Sequence, residues 1–250
     1  MGEYLTRKLS TTNQGEVIVV DRNNKPTNSK YPKVVYKSLG LTASSQEYQE
    51  VLDQADAAVI LTYPNPKIIA NFCATAEKSK NLKKIIYSST LLVYPNSLKP
   101  QNEDAMPAPL ADYEKAKYEE ENQLTNFAAA SDKQLLITRL GNVYGDVKNK
   151  GVINNILVSA MNKKPVSLSG RGEQKRDFVL VDDAAEILAR LILIEFEGKK
   201  IIVNIGTGTT HSINEVINQI EGTLNIKIDR DYTSADIGKR EIAGDNRKLL

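Results

Sequence analysis

The 250-residue sequence predicts an α/β fold, a doubly wound parallel sheet with a smaller C-terminal lobe. Three observations predict it. Short β-branched runs recur along the chain, stretches of helical period separate them, and one run ends in three consecutive hydroxyl residues. The runs fall at residues 17–20, 57–61, 84–87, 135–138 and 201–205, and their length and near-continuous apolarity suit strands buried on both faces. Charged, Ala- and Leu-rich stretches at 3–9, 46–54, 67–78, 111–130 and 184–197 repeat their apolar positions every three to four residues, as a helix packed on a sheet must. Strands alternating with helices give βαβ units, hence parallel pairing. After Gly145 the alternation gives way to connections rich in Gly, Asn, Lys and Pro. The chain therefore divides into a core at 1–145 and a lobe at 146–250, with some of the later segments returning to the core sheet.

Composition narrows the class. With 41% hydrophobic and 26% charged residues the chain can bury a core, which excludes a disordered, collagenous or coiled-coil protein. Its 33 Lys+Arg against 31 Asp+Glu leave a net charge of +2, too small to draw the chain to a phosphate backbone or an anionic bilayer. Neither nucleic acid nor membrane is expected as a partner. Cys73 is the single cysteine, so no intrachain disulfide or cysteine zinc site forms, as suits a cytoplasmic protein. His211 is the single histidine, which excludes a histidine-rich metal site, and its place after a glycine turn reads as a polar loop residue. The most apolar helical stretch is interrupted by Glu186 and Arg190, short of the ~20 residues a bilayer span needs.

The chemistry-bearing residues concentrate at two places. Tyr113 and Lys117 are four apart, one turn on a single helix face. A phenol is a weak base at neutral pH, and a neighbouring ammonium favours its ionised form, so Lys117 is expected to lower the Tyr113 pKa. Upstream, Ser88, Ser89 and Thr90 end a strand, at the edge where open α/β sheets bind their ligands. A solvated helix face is the plain alternative for the Tyr/Lys pair. At the second place, Asp21 ends the run that starts at Val17. An acidic residue there suits the ribose hydroxyls of an adenine dinucleotide and repels a 2′-phosphate, favouring NAD over NADP, a preference the adjacent Arg22 softens. A polar strand end is the alternative.

In order along the chain stand Ser88-Ser89-Thr90 with Val93-Tyr94, Glu103-Asp104, Tyr113 with Lys117 and Glu121, Arg139-Leu-Gly-Asn142-Val-Tyr-Gly145, the block from Gly170 through Arg176-Asp177 to Asp183, and Asn204-Ile-Gly206-Thr-Gly208. In these blocks the sequence resembles the extended short-chain dehydrogenase/reductase family, which includes the NAD-dependent nucleotide-sugar epimerases and dehydratases. The resemblance implies a Rossmann-like NAD-binding core at 1–145, a substrate lobe at 146–250, and a homodimer. It implies Tyr113 as acid/base, Lys117 on the nicotinamide ribose, and Thr90 on the reacting sugar oxygen. Gly2, Asp21, Arg22 and Ser88 would lie with Lys117 along the NAD, while Asn142 and Arg176 would join Thr90 on the nucleotide sugar. The implied reaction is epimerisation through a keto-sugar, with hydride lent to NAD and returned. The alternatives are an NAD(P)H-dependent ketoreductase and a catalytically silent sugar-nucleotide binder.

Departures from the family refine these expectations. Dehydratases carry an Asp-Glu pair directly after the active-site Thr, where this chain has Leu91 and Leu92, so dehydration is disfavoured. Thr62 and Tyr63 replace two small residues beside the cofactor, Pro95 replaces a Gly after Val-Tyr, and Ser38 stands nearest to an adenine-contacting Asp. The family opens with a strand and G-x-x-G-x-x-G, and the sequence starts at the last of those glycines, Gly2. The sheet is therefore expected to lack its first, central strand and most of the Gly-rich loop, and the chain to stop within a helix near 245–250.

Overall fold

The structure is a computed structural model and describes residues 1–12, 15–21, 31–40, 45–146, 148, 151–233 and 241–249. In chain order its elements are α1 (Gly2–Ser10), β1 (Val17–Asp21), β2 (Val34–Ser38), α2 (Ser45–Leu52), β3 (Ala57–Ile60), α3 (Pro66–Ala76), β4 (Lys84–Thr90), α4 (Asp112–Ala130), β5 (Gln134–Leu140) and β6 (Asn142–Tyr144). There follow α5 (Val152–Met161), β7 (Val166–Ser169), β8 (Lys175–Arg176), β9 (Phe178–Leu180), α6 (Val181–Leu193), β10 (Lys200–Ile205), β11 (His211–Ser212), α7 (Ile213–Leu224), β12 (Arg230–Thr233) and β13 (Glu241–Ile242). All five expected strands and all five expected helices are present. The α/β class holds.

Two compact units emerge, and the chain passes between them several times. The first comprises Met1–Ser89, Leu110–Thr138 and Ala185–Ile202; the second comprises Thr90–Pro109, Arg139–Ala184 and Val203–Leu250. The first unit carries the starts of β4, β5 and β10, which with β3 form a four-stranded sheet in the order β10-β5-β4-β3. Its core joins Ile85, Tyr87, Leu135 and Ile137 of the strands to Ile69 and Ala76 of α3 and Leu124 and Ala128 of α4. Asn65 caps α3, accepting from the Lys67 amide at 3.1 Å, and Pro66 fills the first turn where an N–H is not needed.

The sheet comes in two pieces. β1 pairs in parallel with β2, from Val17 opposite Val34 to Asp21 opposite Ser38. Among the described residues β1 pairs with no other strand, and β3 is terminal in its own sheet. Within the ribbon Val20 is 38% and Val35 45% exposed.

The second unit gathers short strands about α5 and α7, in the part of the chain where the sequence suggested irregular connections. β6 pairs in parallel with β9, and β7 with β12; β8 lies antiparallel to β11 and parallel to β13. Ile156, Val166, Leu168, Phe178, Ile213, Ile217 and Ile228 form its core. The Ser212 hydroxyl accepts from the Glu215 amide at 3.1 Å, and the Glu215 carboxylate accepts from the Ser212 amide at 2.7 Å. This reciprocal cap starts α7, and left-handed Asn225 (φ 51°) ends it. Ser212→Ala is expected to lower stability by about 1 kcal/mol, read from chemical denaturation.

Candidate active site

Tyr113 and Lys117 stand in the first turns of α4, whose start is held by Glu114: its carboxylate accepts from the amides of Leu110 and Ala111 at 2.8 and 3.1 Å. Helical period then aims Glu114, Lys117, Glu120, Glu121, Leu124 and Ala128 inward. The first half of this buried stripe is charged, which is rare unless each charge is paired. The pairing comes from β4 and from the segment after β3. Lys117 Nζ donates to the Ser88 carbonyl at 2.9 Å and to the Thr62 carbonyl at 3.1 Å. It also lies 4.0 Å from Glu120 Oε2 and 4.7 Å from the centre of the Tyr87 ring. The Ser89 hydroxyl donates to Glu121 Oε1 at 2.5 Å.

Three buried or half-buried tyrosines, Tyr87 and Tyr113 in the first unit and Tyr94 in the second, differ in one respect. Tyr87 donates its hydroxyl to Glu120, and Tyr94 donates to Asn204 at 2.9 Å. The Tyr113 hydroxyl has no hydrogen-bond partner among the described residues; its ring meets only Tyr63, with centroids 5.6 Å apart. Tyr63 itself is 77% exposed. A phenol with an open valence, one turn from a buried ammonium, is placed to exchange a proton with something that is not protein.

Two expectations change here. The solvated-face alternative for Lys117 fails, since the side chain is buried, with 3% of its surface exposed. The expected lowering of the Tyr113 pKa is reversed: burial raises it above the ordinary phenol value, and Tyr63, Glu120 and Glu114 raise it further. Two of the three Lys117 N–H groups are spent on the two carbonyls, and its own pKa is lowered by burial to about 8, against the opposing pull of Glu120 and Glu121.

The other named residues fall as follows. Asp21 ends β1 opposite Ser38, and its carbonyl accepts from the Leu39 amide at 3.2 Å. Gly2 opens α1, which has no side-chain cap, and a Cβ there would come only to 4.0 Å from Leu61. Arg22 lies outside the described residues. Thr90, in the second unit, is 7% exposed, and its hydroxyl oxygen accepts from the Leu92 amide at 3.2 Å, shaping the 3-10 turn Leu91–Val93. Leu91 packs with Tyr94 and Ile242. Asn142 begins β6 and lines a small cleft with Tyr144, Gly151, Asn154 and Phe178. Arg176, half-buried in β8, lies opposite His211 and donates to the Lys175 carbonyl at 2.7 Å. His211 is exposed.

Asp177 carries no role in the sequence reading, yet the structure gives it several partners. It is 1% exposed, and its carboxylate accepts from the Thr207 amide at 2.7 Å, the Thr207 hydroxyl at 2.8 Å and the Gly208 amide at 3.1 Å. Only glycine fits beside it: a Cβ on Gly206 would lie 2.4 Å from Asp177 Oδ2. Glu120 was missed altogether. Its signal was the spacing of three from Lys117, which reads on paper as another solvated charge.

The donor chemistry of the first unit fits the two ribose ends of NAD. Asp21 offers a carboxylate at a strand end, and Lys117 keeps a third N–H beyond its two carbonyl acceptors. Comparison with known proteins places the chain among relatives. The chain is 31% identical over 166 residues to the dTDP-4-dehydro-6-deoxyglucose reductase of Escherichia coli, covering 64% of this chain and 52% of that protein. It is 28% identical over 159 residues to the UDP-glucuronate 4-epimerase of Thermodesulfobacterium geofontis, covering 62% and 48%. The chain thus spans about half the length of the curated relatives it matches. The solved UDP-glucuronic acid 4-epimerase of Bacillus cereus, in complex with UDP-glucuronic acid and NAD, superposes with a TM-score of 0.84 at 18% identity over 99% of this chain and 87% of that one, a likeness of fold. The sequence profile of the NAD dependent epimerase/dehydratase family matches residues 1–206, and to that family the chain belongs.

Proposed function

We propose that the protein is an NAD-dependent nucleotide-sugar epimerase working through a transient keto-sugar. The observation that carries this reading is the unpartnered Tyr113 hydroxyl one turn from the buried Lys117 ammonium, in a member of this family. NAD, when bound, supplies the hydride acceptor and donor. Asp21 holds the adenosine ribose, with Gly2, Arg22 and Ser88 along the cofactor, and Lys117 the nicotinamide ribose. Thr90, its oxygen already accepting from Leu92, keeps an O–H to hold the reacting sugar oxygen in place. In its ionised form Tyr113 takes the proton of that hydroxyl as the carbonyl forms, and as the neutral phenol it returns the proton when the carbonyl is reduced. The sequence supports Asn142 and Arg176 as holders of the nucleotide sugar. Residues 1–145 then form the NAD-binding core and 146–250 mainly the substrate lobe, with 200–205 returned to the core sheet. Leu91 and Leu92 transfer no protons, which speaks against dehydration.

The E. coli relative, a reductase, supports a second reading as an NAD(P)H-dependent ketoreductase. Incubation of the protein with UDP-sugars and catalytic NAD distinguishes the two: epimer interconversion without net change in NAD is expected, whereas stoichiometric NAD(P)H oxidation with a 4-keto sugar marks the reductase. Calorimetry with NAD addresses the silent-binder alternative; submillimolar binding is expected, and its absence favours that alternative. We further propose a cytoplasmic homodimer, checked by light scattering. No described helix is long and apolar enough to cross a membrane.

A further inference from the structure

Beneath the Tyr113/Lys117 pair lies a carboxylate that the proposed chemistry leaves without a task. Glu120 is wholly buried, at 0% exposure, in the middle of the first unit. Its Oε1 accepts from the Asn65 amide at 2.6 Å, just before α3, and its Oε2 accepts from the Tyr87 hydroxyl on β4. That same Oε2 is 4.0 Å from Lys117 Nζ. The carboxylate is thus fixed from two elements besides its own, and fixed facing the ammonium.

Packing alone gives no reason for a charge here. The same helix face continues with Leu124 and Ala128, and an apolar residue in place of Glu120 would prolong it into the core. The ammonium supplies the reason. Lys117 is buried to the same degree as its apolar neighbours, and its two hydrogen-bond acceptors, the Thr62 and Ser88 carbonyls, are neutral. Two neutral dipoles do not offset the cost of burying an ion; a countercharge does.

We propose that Glu120 is a positioning residue that keeps Lys117 charged and aimed at the strand end where Tyr113 acts. This rests on the reading of Tyr113 and Lys117 as the reactive pair. Besides Glu120, the titratable groups that face the site among the described residues are Tyr113, Glu114 and Glu121 from α4, Tyr87 from β4, and Tyr63 beside Tyr113. Of these Glu121 is the other acid that acts on Lys117, and it is engaged by Ser89. With both acids in place burial still lowers the lysine to about 8, so loss of the nearer charge is expected to lower it further.

The test is a pH titration of Lys117 by NMR with 13Cε-labelled lysine, the resonance assigned by its loss in Lys117→Arg. It needs no turnover, so it stays informative if no sugar nucleotide is a substrate. Glu120→Gln keeps the shape of the side chain and removes its charge; the Lys117 midpoint is expected to fall by about 1–3 pH units, the effect of one opposite charge at this range. A midpoint unchanged to within about 0.3 pH units of wild type overturns the proposal. If Glu120→Gln does not fold, Glu120→Asp, which keeps the charge but draws it back by one methylene, is expected to give a smaller fall, and no fall overturns the proposal equally. If an epimerase or reductase assay is in hand, the alkaline limb of its kcat profile is expected to move with the NMR midpoint. A fall in the NMR midpoint with no activity in any variant leaves the proposal standing and counts instead against the enzymatic reading.

Discussion

Tyr113→Phe is expected to cut turnover by about 10²–10⁴-fold while leaving NAD affinity and thermal stability at wild-type values. The asymmetry follows from the hydrogen bonds. Removing the hydroxyl of Tyr87 or Tyr94 would orphan an acceptor in the core, Glu120 in one case and Asn204 in the other. Removing that of Tyr113 orphans nothing among the described residues, and the ring that packs against Tyr63 is retained. The loss therefore falls on the reaction and not on the fold. Steady-state kinetics, calorimetry and a melting curve on the same preparation check all three parts; a variant that kept full turnover would remove Tyr113 from the mechanism.

The largest expected effect on stability belongs to Asp177. Asp177→Ala deprives the Thr207 amide, the Thr207 hydroxyl and the Gly208 amide of their shared acceptor. The Thr207 hydroxyl keeps Thr209 as a partner and Thr207 is exposed, so the cost falls mainly on the half-buried Gly208 amide and the buried Gly244 amide, at about 1–3 kcal/mol each; a total loss of about 3 kcal/mol is expected, near a 10 °C drop in melting temperature. Asp177→Asn is expected to cost less, because its remaining carbonyl oxygen still accepts while its amide N–H₂ confronts another donor. Gly206→Ala attacks the same contact from the other side, forcing a methyl against the carboxylate, and its loss is expected to match that of Asp177→Ala. Urea denaturation of the three variants orders them.

These two residues also show how far the sequence could be read. Tyr113 and Lys117 were legible because a spacing of four fixes a helix face whatever the tertiary packing, and β4 and β5 were legible because burial on both faces demands uninterrupted apolar runs. Asp177 was not, because its partners are main-chain amides some 30 residues away, brought close by the meeting of β8 and β11, and amides leave no mark in residue type. Glu120 failed for a different reason. It stands in a run of three acids, Glu119, Glu120 and Glu121, and such a run reads as a solvated face. Nothing local says that two of the three turn to the core. The wrong sign for Tyr113 has the same root: the spacing brings an ammonium near, but only the carbonyls of Thr62 and Ser88 reveal that it is already engaged.

The two-piece sheet bears on ligand thermodynamics. A ribbon of two strands, with Val20 and Val35 open to water, sits near the limit of independent stability and should open more often than the four-stranded sheet. Asp21 is the last residue of that ribbon. A dinucleotide that closes on Asp21 must first catch it folded, and once bound it holds it so, which makes part of its binding energy an ordering cost and makes the ligand a brace for β1. Amide exchange at 17–21 should accordingly slow on adding NAD, while exchange in β4 and β5 stays as it was.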